Sequence, residues 1–339
     1  MSARNNEVSL YLRMLFLIVA MLGVAACAPV QERAGSEKPR LLIYPPPPDE
    51  PRYAYERTIY GSADVTPRKA DAALKRTLTG EREVSEGLVK PYAVKVHRGR
   101  IFVSDSADRF VKVFDVQEGR YFKIGDDDLG PLTKPLGLDV DLVGNLYVAD
   151  ATAKAVMVYN RDGKFIRKIG GPKVFERLSS VTVDAIRQRI FVTDIGGVSS
   201  DQHKIKVFDL STGAHQFDLG KRGIGPGEFN LPRDVAIGIN GQIYVVDGGN
   251  FRVQVFDQGG KFINSFGSVG KQLGNFARPK EVATDQSGNV YVVDAAFGNF
   301  QIFNPEGDLL MFIGERSERD GPARYMLPSG IDVDEDGRV

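Results

Sequence analysis

Few residues in this chain are equipped for chemistry. There is one cysteine, Cys27, so neither an internal disulfide nor a Cys-based zinc site can form. The three histidines, His97, His203 and His215, share no spacing suited to a metal. Acidic residues recur instead. Asp105, Asp150, Asp194, Asp247 and Asp294 close the runs IFVSD, LYVAD, IFVTD, IYVVD and VYVVD. Such a set invites a metal or catalytic reading. An Asp leaving a strand, however, bonds nearby backbone N–H groups in the turn. Recurrence in every copy assigns these five to architecture, because a site needs one special copy. No nucleophile–base pair stands out, so no catalytic residue is assigned.

The five aspartates mark a repeat, with spacings of 45, 44, 53 and 47 residues. Upstream of each lies a second pattern opened by Pro91, Pro135, Leu178, Pro232 or Pro279, and a sixth opens at Pro328. Downstream come VKVFD, VMVYN, IKVFD, VQVFD and FQIFN. Each copy closes at a glycine: Gly125, Gly170, Gly220, Gly267 or Gly314. Every repeat therefore holds four short β segments. The second is apolar and β-branched, as in a strand covered on both faces. The third alternates, as in Val253-Gln254-Val255-Phe256, which predicts one less buried side. Four-stranded units at this period indicate a β-propeller, in which each blade buries its faces on its neighbours.

The stretch GPGEFNLPRDVAIGINGQIYVVDGGNFRVQVFDQGGKFINSFG (225–267) resembles an NHL repeat, and the resemblance extends over residues 87–339. It implies a six-bladed ring. Tyr53–Gly61, YAYERTIYG, matches a fourth-strand pattern and is expected to close the last blade as its outermost strand. Thr66-Pro67 and residues 68–74 read as a capped short helix. The sixth unit starts at Pro328 and its Asp is expected near position 343, beyond Val339. That arithmetic predicts a fragment of a longer reading frame, with the last blade incomplete. The propeller is accordingly expected over residues 53–339. Relatives of this type include lyases, and similar six-bladed folds include lactonases. Their histidine-rich centres have no counterpart here, and fold does not imply function.

The residues just after the opening prolines should enter the channel mouth: Tyr92, Leu136, Arg233-Asp234 and Lys280-Glu281. They either pair across blades and face solvent, or line a polar pocket. In the pocket reading, Asp234 and Glu281 are where a divalent cation such as Ca²⁺ would sit. No other cofactor is expected. Phe229, Phe276 and Tyr325 stand three residues before a proline and read as buried loop anchors. The third repeat owes its longer spacing to the loop Ile195–His203, which contains Asp201. That insertion is either neutral or a binding element, with Asp201 and His203 as its candidates.

The N-terminus reads as an address. Arg4 and Arg13 precede MLFLIVAMLGVAA, thirteen small or apolar residues at 14–26, which suits a signal-peptide core rather than a span. The run ends in Val24-Ala25-Ala26-Cys27, which resembles the bacterial lipobox. The resemblance implies a signal peptide over 1–26 and acylation of Cys27, and hence a membrane anchor. Ala28 favours the outer membrane over inner-membrane retention. Residues 27–52 read as a tether with the four-proline run Pro45–Pro48; Leu41–Tyr44 reads either as part of it or as an extra strand on the domain.

Hydrophobic residues make up 42% and charged residues 26%, which supplies a folded core. Lys+Arg and Asp+Glu balance at 44 each, so no global field favours nucleic acid as a partner. The expectation is a lipid-anchored envelope propeller that binds a protein or envelope ligand without catalysis. The alternative is an envelope hydrolase or lyase with a divalent metal in the channel.

Overall fold

The computed structural model describes residues 41–67, 85–197 and 199–339. The lipobox, Cys27, most of the tether and the expected helix at 68–74 lie outside them. The chain divides into two units, Met1–Leu42 and Ile43–Val339, and the architecture belongs to the second.

Five four-stranded antiparallel blades form, each in simple up-and-down order. Their innermost strands are Pro91–His97, Pro135–Val140, Leu178–Asp184, Pro232–Ile237 and Pro279–Thr284. Their outermost strands are Arg120–Ile124, Phe165–Gly170, His215–Leu219, Phe262–Phe266 and Leu309–Ile313. Consecutive innermost strands touch around a central channel.

The core lies between blades. One cluster joins Phe102 and Val111 of blade one to Val148 and Tyr159 of blade two. Equivalent clusters join blades two and three, three and four, and four and five. No blade has a core of its own, so stability resides in the joints.

The six-bladed expectation needs correction: five blades form, not six. Residues 328–334 occupy a sixth inner position, where Ile331 and Val333 pack on Tyr291 and Val293 of blade five. They make no strand ladder, because a lone inner segment has no second strand to supply its hydrogen bonds. The N-terminal closing strand also fails to appear. Tyr53–Ala54 instead pairs with Ile43–Tyr44 in a two-residue ladder. Tyr53 still reaches this end of the ring, with its hydroxyl 2.8 Å from that of Tyr291.

The third strands depart from expectation too. Gln254 and Gln301 are fully buried, not on a less buried side. The Gln254 amide donates to Asp247 Oδ2 at 3.0 Å and accepts from Gly227 N–H at 2.9 Å. Lys112 takes the same position in blade one, with Nζ 3.1 Å from Asp105. A polar residue in an apolar strand here marks a buried hydrogen-bonding post, not a wet face.

Candidate functional site

The five repeat aspartates are all fully buried. Each binds the segment before the innermost strand to the end of the second strand. Asp194 accepts from Glu176 and Arg177 N–H at 3.0 and 2.9 Å. Asp294 accepts from Ala277 and Arg278 N–H at 2.7 and 2.9 Å, then from Ala296 and Phe297 of its own turn. Asp105 and Asp150 do the same. Asp247 takes Asn230 N–H at 2.7 Å and the side chains of Asn250, Arg252 and Gln254. Phe229 and Phe276 are the buried loop anchors anticipated from their spacing, and Tyr325 is half-buried. The closing glycines lie beneath these rings. A Cβ at Gly220 would stand 2.2 Å from Phe229 Cε2, and its φ of +81° also demands glycine.

The channel is built from the innermost strands. Each carries a register shift next to its first residues, such as that between Pro232 and Val235. A bulge of this kind re-aims the side chain after it. Two layers of side chains then surround a cavity of about 130 Å³. The outer layer includes Ser180, Asp234 and Glu281; the deeper one includes Lys95, Asp139, Thr182 and Asp332. The deeper layer escaped sequence reasoning, although residues two further along a strand point the same way.

These groups join blades to one another. Asp139 of blade two accepts from Val183 N–H of blade three at 2.7 Å. Asp234 of blade four accepts from Val282 N–H of blade five at 3.0 Å, and the Ser180 hydroxyl donates to its other oxygen. Glu281 accepts from Ile331 N–H at 3.2 Å, and Asp332 from Val96 N–H at 2.7 Å. Lys95 Nζ lies 3.3 Å from Asp139 and 3.0 Å from Asp332. Asp234 and Glu281 thus line the polar cavity and at the same time accept backbone N–H groups from the neighbouring unit. Ca²⁺ fits poorly: one oxygen of each of Asp234 and Glu281 already accepts a backbone N–H, and among the described residues no three His, Cys, Asp or Glu side chains are grouped to hold a metal.

Burial pushes the Asp234 carboxyl up to about 6, against the hydrogen bonds of Ser180, Val282 and Val235. Burial, with Asp234 next, raises Glu281 well above the usual range. A raised folded-state value means that folding takes up a proton. The Asp234 contribution to stability is therefore complete below its unfolded value of 3.8 and lost as pH rises through about 6. The difference corresponds to about 3 kcal/mol. Asp234→Asn retains an acceptor for Val282 N–H without the charge, and the Ser180 hydroxyl, which donates to the carboxylate, turns to accept from the new amide. Its urea unfolding free energy should therefore gain on wild type between pH 4 and pH 7. Parallel pH profiles would contradict this assignment.

Tyr92, Arg233 and Lys280 stand half-buried at the mouth. Burial, followed by Glu281, raises the Tyr92 phenol to about 12, and Arg233 and Arg177 oppose that rise from nearby. The Arg233 stem lies across Gly248, where a Cβ would meet its Cγ at 2.7 Å. The enlarged loop splits its two candidates. Asp201 is exposed. His203 is buried to 1% exposure, and its Nδ1 accepts from Leu231 N–H of blade four at 3.2 Å. It joins blade three to blade four; its position at the end of a loop gave no sign of this. His215 is bound locally to Asp218 at 2.7 Å.

Residues 229–256 match the NHL repeat family model. The chain carries an NHL repeat. Blades one, two, three and five repeat the same four-stranded plan around the NHL blade. Among curated proteins, similarity extends to protein brain tumor of Drosophila melanogaster, 28% identical over 41% of this chain and 13% of that protein. It also extends to NHL repeat-containing protein 3 of Mus musculus, 26% identical over 49% of this chain and 51% of that one. The chain thus spans about half or less of these relatives. Solved structures share the propeller. Virginiamycin B lyase from Staphylococcus aureus aligns at a TM-score of 0.50 and 12% identity, over 65% of this chain and 69% of its own. A chain of a nidogen/laminin complex aligns at 0.54 and 16%, over 68% and 86%. Hydrazine synthase of Kuenenia stuttgartiensis aligns at 0.53 and 13%, over 76% and 93%. At these identities the likeness is one of fold.

Proposed function

We propose that this chain is a lipid-anchored protein-interaction module of the bacterial envelope, held by Cys27 and presenting the face of its propeller at the channel mouth. One observation carries the binding reading. The acids of the repeat and of the channel bond backbone groups within and between blades, so they serve as fasteners, while the mouth leaves Tyr92, Arg233 and Lys280 at the surface. The NHL-repeat relatives support an interaction role, and one fold neighbour comes from a complex of two proteins. The apolar run before Cys27 supports the anchor.

Crosslinking in intact bacterial cells, followed by purification of the full chain from membranes, tests the reading. A defined protein should be recovered with the chain. The wild type should incorporate labelled fatty acid, and Cys27→Ser should lose the label and leave the membrane fraction. A wild-type chain that takes up no label would remove the anchor. A labelled chain that recovers no partner would remove the interaction role.

A further inference from the structure

The inner-strand openings of blades three, four and five bring four cationic side chains to one sector of the mouth. Arg177 and Arg278 precede the innermost strands of blades three and five; Arg233 and Lys280 follow the opening prolines of blades four and five. Their backbones are fixed, since the N–H groups of Arg177 and Arg278 donate to Asp194 and Asp294. Arg177 and Arg278 are exposed, and the other two are half-buried. Lys280, Arg233 and Arg278 stand on or next to neighbouring inner strands that touch, and they act on one another. After burial, Arg233 and Arg278 do most to lower the Lys280 ammonium, and they outrank the opposing Glu281. Arg233 and Arg177 both act electrostatically on Tyr92 of blade one. Ion pairs among the described residues engage Lys95, Lys112, Arg189 and Arg252, among others, but none of these four. Repelling, uncompensated cations at the rim of a polar cavity constitute a binding surface for negative charge.

We propose that this mouth docks an acidic segment of a partner protein, with two or more carboxylates received by Arg177, Arg233, Arg278 and Lys280. The proposal rests on the interaction reading above and names the chemistry of the partner. Arginines supply planar forks that match carboxylates two bonds at a time. Asp234 and Glu281 line the cavity below the mouth. The charge of the chain as a whole is balanced, so it offers a long polyphosphate strand no global attracting field. A short acidic peptide matches the patch.

The probe is a fluorescent octa-glutamate peptide, measured by anisotropy with the full chain at low and moderate salt. An octa-lysine peptide and a single-stranded oligonucleotide serve as comparators. Wild type should bind the glutamate peptide in a salt-sensitive manner and at least tenfold more tightly than the lysine peptide. The double variant R233E/K280E should lose at least tenfold, with an unchanged thermal unfolding midpoint. Lys261→Glu, in the turn between the third and outermost strands of blade four, should bind as wild type does. Equal binding of both peptides, or full binding by R233E/K280E, would overturn the proposal. Tighter binding of the oligonucleotide would overturn it in favour of nucleic acid. A crosslinked partner retained by R233E/K280E would remove the mouth assignment and leave the interaction reading intact. Peptide binding without any cellular partner would do the reverse.

Discussion

Asp150→Ala should lower the unfolding free energy by about 3–5 kcal/mol, read from the urea midpoint at neutral pH. The carboxylate is fully buried and accepts four backbone N–H groups. Thr133 and Lys134 donate to Oδ2 at 2.5 and 3.0 Å, while Thr152 and Ala153 donate to Oδ1 at 2.9 Å each. Truncation strands all four donors in a place where water enters poorly, and the desolvation penalty exceeds the net value of the bonds. Asp150→Asn sharpens the test. Its amide group would face one pair of donors with a donor of its own, so it should recover less than half of the loss. If either variant cost under about 1 kcal/mol, the fastening role of the repeat aspartates would be wrong.

Lys95→Met should have a loss of similar size, about 3–5 kcal/mol, for a different reason. The ammonium bridges Asp139 and Asp332 across the channel, and both carboxylates are buried. Those two charges hold the ammonium well above its ordinary range despite its burial, so it stays charged at any working pH. Methionine replaces its bulk and leaves two buried acids without a counter-charge. Burial already raises the Asp332 carboxyl against the pull of Lys95; without that counter-charge it takes a proton still more readily in the folded chain, so the variant should regain stability as pH falls. Adding Asp139→Asn and Asp332→Asn should restore most of the loss at neutral pH, which a double-mutant comparison measures. An additive triple variant would show that the three groups do not act together.

The sequence disclosed these parts unevenly, for physical reasons. The blades were legible because their signals are local: an apolar second strand, an Asp at its end and a glycine at the close. Asp234 and Glu281 were placed at the channel because position within a repeat is inherited by every copy. Their use as links between blades was not visible, since the partners, Val282 and Ile331, are 48 and 50 residues away. The burial of His203 was not visible, because loop length says nothing about which way a ring turns. YAYERTIYG misled because a strand-like pattern does not choose its partner. Tyr53–Ala54 found Ile43–Tyr44 nearby, at a smaller entropic cost than closure across the whole ring.

The channel contacts have a direction. In the links made by Asp139, Asp234, Glu281 and Asp332, the carboxylate belongs to one unit and the N–H to the unit that follows it around the ring. The N–H is backbone, so any sequence other than proline at that position provides it. A repeat duplicated within the gene would arrive with its own half of a joint and need nothing specific from its new neighbour. Blades two, four and five could be copied on these terms while their surface loops diverge; blade three joins its neighbour by another device, the Thr182 hydroxyl donated to Val235 C=O.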